Sequence, residues 1–184
     1  TTLFRSNIIT DLRTDLSLNG SNELNLNTLD LHGNRIKNIS KCAFKGLERL
    51  QRLNLSRNYI EYLNSYALQE LQELLSLNLS YNMLHHLVLH MIPHSLTTLI
   101  VESYMEPWSD IVVHHEFFNL SHLDCTYLGK GYLAITLLKD VKKLLPKYLD
   151  FNGNDLLDTD VDRLRFDWSS VKELTLSKNG LAEV

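Results

Sequence analysis

One spacing dominates this chain: Leu-x-x-Leu-x-Leu-x-x-Asn-x-Leu. It occurs at Leu26, Leu29, Leu31, Asn34 and Ile36, and again at Leu50, Leu53, Leu55, Asn58 and Ile60. A third copy runs through Leu74, Leu77, Leu79, Asn82 and Leu84, each copy starting 24 residues after the last. A single folded core imposes no fixed period of this length on its apolar residues, whereas a stack of similar units does. Weaker copies keep the phase: Leu96, Leu99 and Val101; Leu120, Leu123 and Cys125; Leu149, Phe151, Asn154 and Leu156; and Val171, Leu174, Leu176, Asn179 and Leu181. That makes seven units, the fourth and fifth degraded and the last incomplete.

The spacing has a direct physical reading. In Arg52-Leu53-Asn54-Leu55-Ser56, alternate residues of a short strand face opposite sides, so Leu53 and Leu55 point inward and the others outward. Copies stacked roughly 4.8 Å apart form a parallel sheet. The repeated Asn at 34, 58, 82, 154 and 179 stands where the chain turns away from the strand. Its amide can there bond backbone groups that burial would leave unsatisfied. The second half of each unit adds apolar points: Ile39, Ala43, Phe44 and Leu47 in one, Leu63, Ala67, Leu68 and Leu71 in the next. Each buried Leu or Phe contributes roughly 1.5–3 kcal/mol. Tyr104 and Leu128 occupy the Asn position of units four and five, which predicts that those units turn differently.

The run Ile36-Lys37-Asn38-Ile39-Ser40-Lys41-Cys42-Ala43-Phe44-Lys45-Gly46-Leu47, followed by Glu48-Arg49-Leu50, resembles the extracellular leucine-rich-repeat family with repeats of about 24 residues. Its Ala-Phe-x-Gly-Leu is similar to Toll-type receptor ectodomains and secreted immune leucine-rich-repeat proteins. The irregular later units look like those of mosquito immune proteins. The resemblance implies an α/β repeat solenoid, a horseshoe with a parallel β-sheet on its concave face and short irregular or helical convex segments. It covers residues 24–184. Residues 1–23 read either as an irregular segment, with a hairpin turning at Asn19-Gly20, or as a partial first repeat. The family's cysteine-bearing end caps are missing, and the chain stops in mid-repeat. A fragment or trimmed chain is therefore expected. It opens without the basic and apolar regions of a signal peptide.

Composition narrows the function. Of the residues, 44% are hydrophobic and 22% charged, and the net charge is −4, so the basic footprint of a nucleic-acid binder is absent. No apolar stretch approaches the roughly 18 residues of a membrane span. No nucleophile–base set, phosphate-binding glycine loop or cofactor motif can be placed, so neither an enzyme nor a cofactor is expected. His86, His90 and His94 recur at four-residue spacing beside His85, and His114-His115-Glu116 follow, but Pro93 interrupts a helix and no His-Glu-x-x-His exists. Solvent-facing loops suit these histidines better than a metal site, and a pH response is the lesser alternative. Cys125 takes a core position and Cys42 a convex one. Several repeats separate them, beyond the roughly 7 Å that a disulfide tolerates.

A protein partner is the expected ligand, bound on the outward strand positions. These include Asp30, His32, Arg52, Asn54, Ser56, Asn78, Glu102, His122, Asp124, Tyr148, Asp150, Asn152 and Glu173. The last three units turn acidic through Asp124, Asp150 and Glu173, which suits a basic patch on the partner. Tyr104 and Trp108 in the degraded fourth unit offer a loop contact. Candidate N-glycan sites are Asn19, Asn38, Asn54, Asn78 and Asn119, each two residues before a Ser. Glycans on Asn54 or Asn78 would obstruct the concave face. The resemblance implies an extracellular recognition module, secreted or part of a receptor ectodomain, in innate immunity. A homo- or hetero-oligomer fits that role. An adhesive matrix protein or an intracellular scaffold on the same fold is the alternative.

Overall fold

Short strands repeat along the chain because each unit places an alternating apolar triplet where the next unit can pair with it. In the computed structural model, residues 2–12, 25–64, 66–88, 93–102, 110–112, 120–128, 146–163 and 168–182 are described. The strands in chain order are β1 (Thr2–Leu3), β2 (Asp11–Leu12), β3 (Thr28–Asp30), β4 (Asn38–Ile39), β5 (Arg52–Asn54), β6 (Tyr62–Leu63) and β7 (Ser76–Asn78). They continue as β8 (His86–Val88), β9 (Thr98–Ile100), β10 (Asp110–Val112), β11 (His122–Asp124), β12 (Tyr148–Asp150) and β13 (Glu173–Thr175). Among the described residues one helix, α1, spans Asp158–Arg163, and a 3₁₀ turn covers Trp168–Ser170.

Among the described residues the main sheet has eight strands in the order β1-β3-β5-β7-β9-β11-β12-β13, each pairing in parallel with its neighbour. Its register aligns Leu29, Leu53, Leu77, Leu99, Leu123, Leu149 and Leu174 in one inward row. The sequence register is thereby met strand by strand. The expected leucine-rich-repeat solenoid is the observed fold, with this sheet as its concave face. Strand β1 adds a turn from the segment read as irregular or as a partial repeat, while the Asn19-Gly20 hairpin lies outside the described residues.

The far side of the units carries more strand than the sequence suggested. Strands β2-β4-β6 form a second parallel sheet and β10-β8 a third, so His86 sits in a strand. Between them the chain reverses through consecutive i to i+3 turns. The amides of Ala43, Lys45 and Leu47 donate to Ser40, Cys42 and Phe44, and those of Ala67, Gln69 and Leu71 to Asn64, Tyr66 and Leu68, 24 positions later. In the sixth unit α1 takes this place. The core lies between the sheets. Phe44, Phe151, Leu31, Leu55 and Ile60 are fully enclosed.

The Asn ladder joins each unit to the one before it. Asn58 Nδ2 donates to the carbonyls of Leu31 (3.0 Å) and Leu55 (2.9 Å), while its Oδ1 accepts from the Ile36 amide at 3.1 Å. Asn82 repeats this with Leu55, Leu79 and Ile60, and Asn34 with Phe4, Leu31 and Ile9. Asn154 reaches back to Cys125 and Leu128, and Asn179 to Phe151 and Leu156. Burial makes these bonds matter, because an unpaired amide there would forfeit its hydration without return.

One sequence expectation is corrected at this ladder. Unit five lacks the Asn, yet it turns as the others do. Tyr127 has φ 52°, against 53° for Arg57, 54° for Tyr81 and 67° for Gly153 at the matching positions. The physical reason is that backbone bonds between units hold the turn. Tyr127 N–H donates to Asn152 O just as Arg57 N–H donates to Ser80 O, and Leu128 is buried where the Asn would be. Unit four's Tyr104 lies outside the described residues.

Candidate concave recognition face

The outward row of the sheet aligns Asp30, Asn54, Asn78, Ile100, Asp124, Asp150 and Thr175. Five of these are Asp or Asn for a local reason. Each side-chain Oδ1 accepts the amide two residues on: His32 to Asp30 (3.0 Å), Ser56 to Asn54 (3.1 Å), Ser80 to Asn78 (2.9 Å), Thr126 to Asp124 (3.1 Å) and Asn152 to Asp150 (3.0 Å). These closures fix how the chain leaves each strand. The hydroxyls of Ser56, Ser80 and Thr126 donate to the same oxygens. The row therefore has a structural duty as well as an outward position, and only part of each polar group remains for a ligand.

Two expected contact residues are corrected here, because Asp30 and Ser56 are each only 4% exposed. Asp30 lies beneath Arg5, whose Nε donates to Oδ2 at 2.5 Å. Ser56 is covered because His32 Nδ1 meets its Oγ at 2.9 Å from the neighbouring strand. His32 and Glu102 are half-buried, and Glu102 accepts the Tyr81 hydroxyl at 2.8 Å. Arg52 is exposed, while Asn54 and Asn78 are half-buried. Tyr104 and Trp108, with Asn19 and Asn119, lie outside the described residues; Asn38 is exposed on β4.

The structure gathers the remaining expected residues at one end. His122, Asp124, Tyr148, Leu149, Asp150, Glu173 and Thr175 line a shallow depression of about 90 Å³ across β11–β13. The His122 and Tyr148 rings lie 5.9 Å apart at 31°, and Tyr148 is 37% exposed. Asp124 and Asp150 are paired directly across strands, where like charges repel. The only ion pair among the described residues is Arg5–Asp30, far along the sheet. Among the described residues no cation forms an ion pair with Asp124, Asp150 or Glu173. Their field reaches the interior. Burial, then Asp124 and Asp150, raise the Cys125 thiol well above its ordinary value. Two acceptors at this end, Asn152 Oδ1 and Thr175 Oγ1, are buried without a partner.

Sequence reasoning missed the rim. The residue just before each ladder Asn has a left-handed backbone, and two of the side chains there pack on an aromatic ring of another unit. Arg57 lies 5.0 Å from the Tyr81 ring centre, and Lys178 Nζ lies 5.4 Å from that of Tyr127 and donates to its hydroxyl at 2.6 Å. The signal was available as the position preceding each Asn, which the motif leaves open. Both cysteines are free, Cys42 exposed and Cys125 buried. Among the described residues no group of three or more His, Cys, Asp or Glu is placed to hold a metal, and no helix is long and apolar enough to cross a membrane.

Comparison with known proteins agrees with this geometry. Residues 25–84 match the family model described as Leucine rich repeat. Among solved structures, TLR13 in its complex with ssRNA13 is 23% identical with a TM-score of 0.66, over 99% of this chain and 30% of that one. The leucine-rich repeat domain of APL1B is 21% identical with a TM-score of 0.48, over 85% of this chain and 35% of that one. That of APL1 is 21% identical with a TM-score of 0.47, over 83% and 36%. The chain thus spans about a third of the length of these solved chains. No curated protein matches it. Residues 25–84 match the Leucine rich repeat model, and the chain folds as a leucine-rich-repeat solenoid.

Proposed function

We propose that this chain is an extracellular recognition module that docks a basic segment of a protein partner on the concave face of β11–β13. The observation that carries the reading is the set Asp124, Asp150 and Glu173, which forms no ion pair among the described residues, around a depression walled by His122 and Tyr148. An arginine or lysine side chain suits such a place twice over, pairing with carboxylates and stacking on the aromatic ring. Lys147 and Lys172 stand at the strand entrances, but neither forms an ion pair with these acids. The Ala-Phe-x-Gly-Leu run and the Toll-type resemblance support an extracellular setting in innate immunity.

The solved TLR13 structure is a complex with ssRNA. In this chain the concave face offers, among the described residues, no stripe of Lys and Arg to neutralise phosphates, and its acidic end would repel them. A protein ligand is favoured over RNA on that ground.

The test compares a lysine- and arginine-rich dodecapeptide with a single-stranded RNA, binding each to the wild type and to Asp124→Asn/Asp150→Asn/Glu173→Gln. Asparagine keeps the Oδ1 acceptor, so the strand exits survive the change. The peptide should bind, weaken with salt, and lose about tenfold in affinity in the triple variant, as three partly screened charges imply. Glu48→Gln/Glu61→Gln, on exposed residues of the second half-units, should leave it unchanged. Equal binding to the triple variant, or tighter binding of RNA, would overturn the reading.

A further inference from the structure

The three sequons within the described residues are not alike. Asn54 and Asn78 are half-buried on adjacent strands of the concave face, each with its Oδ1 held by the amide and hydroxyl of the Ser two residues on. Asn38 is exposed on β4, and its carboxamide makes no hydrogen bond among the described residues. Beside it in register stands Tyr62 of β6, 58% exposed. Ile39 and Leu63, the next residues of the two strands, turn toward the core. Asn38 and Tyr62 therefore project outward on the same side, from strands roughly 4.8 Å apart.

We propose that Asn38 carries an N-linked glycan whose first sugar lies over the ring of Tyr62. The proposal rests on the extracellular reading, since only a chain entering the secretory route meets the donor. In the transfer, Asn38 Nδ2 attacks the anomeric carbon of an oligosaccharide held on a polyprenyl diphosphate. The new C–N bond forms, the bond from that carbon to the diphosphate oxygen breaks, the amide proton passes to the transferase, and the lipid diphosphate leaves. Ser40 completes the sequon. In the folded chain its Oγ donates to the Leu12 carbonyl at 3.0 Å, so transfer precedes the closing of these units on one another. The apolar C–H face of a sugar complements the electron-rich face of an aromatic ring. Tyr62 presents that face with no cation over it among the described residues. The glycan would occupy the side of the solenoid away from the acidic depression and leave it open.

The experiment expresses the chain behind a signal peptide in a eukaryotic cell and maps glycopeptides from both medium and lysate. Asn38 should be occupied, and Asn38→Gln should remove that glycan. Trimming the glycan enzymatically should lower the melting temperature by about 2–4 °C in the wild type and by distinctly less in Tyr62→Ala. A bare Asn38 in chains that reached the lumen overturns the site. An equal loss on trimming in Tyr62→Ala overturns the contact. Occupied Asn38 in chains that fold but stay inside the cell would uphold the modification and count against the extracellular reading, so the two failures are distinguishable.

Discussion

Asn58→Leu isolates the contribution of a single ladder rung. Asn58 makes one bond that nothing else replaces, the acceptance of the Ile36 amide. Its two main donations go to carbonyls with a second partner: Leu31 O keeps Asn34, and Leu55 O keeps Asn82. The substitution therefore strands one buried N–H, costing about 1–3 kcal/mol, and removes two further bonds at about 0.5–1 kcal/mol each. A total near 3 kcal/mol is a large share of the roughly 5–15 kcal/mol that holds a domain folded. Bulk is not the cause, since Leu128 is buried at the same position of unit five. Urea unfolding gives the global loss, and amide hydrogen exchange gives its place. Ile36 should lose protection while Ile60, held by Asn82, keeps it. A loss below about 0.5 kcal/mol, or an Ile36 amide as protected as that of Ile60, would refute the reasoning.

Leu53→Asp should unfold its unit, because it buries an unpaired charge in the inward row, whereas Asn54→Asp keeps the Oδ1 acceptor and should fold nearly normally. Circular dichroism of the pair would expose an error in register if both folded alike. Gly153→Ala should cost about 1–3 kcal/mol, since φ is +67° and an added Cβ would lie 2.4 Å from the Tyr127 ring; an unchanged melting temperature would contradict that. A thiol reagent should label Cys42 and spare Cys125 in the native state. The folded chain holds the Cys125 proton more tightly than the unfolded chain does, so this contribution is intact below the ordinary thiol value of 9.0 and fades as pH rises above it. Cys125→Ala should flatten that decline in stability between pH 8 and 10; a parallel decline in both proteins would rule it out.

The repeat was legible because its determinants are local and copied. Leu53, Leu55 and Asn58 each have one duty, and 24 residues later the same duty recurs. Two properties of the face were not legible. Alternation showed that Asp30 and Ser56 point away from the core, but burial there depends on Arg5 and His32 reaching over from neighbouring strands. Nor does alternation reveal that the Asp and Asn row closes the strand exits, which needs the conformation two residues on. The persistence of the unit-five turn without its Asn has the same origin, in backbone bonds to the next unit that no motif records. The acidic end, by contrast, could be read from sequence. Asp124, Asp150 and Glu173 sit at outward strand positions, and the parallel register brings them together around one depression.

The most direct test of recognition through this face places a photoreactive phenylalanine analogue at position 148 and, separately, at position 66. Tyr148 borders the acidic depression, while Tyr66 is exposed on the opposite side of the solenoid with Lys41 5.1 Å from its ring centre. Irradiation with the basic dodecapeptide should yield a crosslinked product from position 148 that disappears with added salt, and little from position 66. Crosslinking from position 66 with none from position 148 would contradict the account.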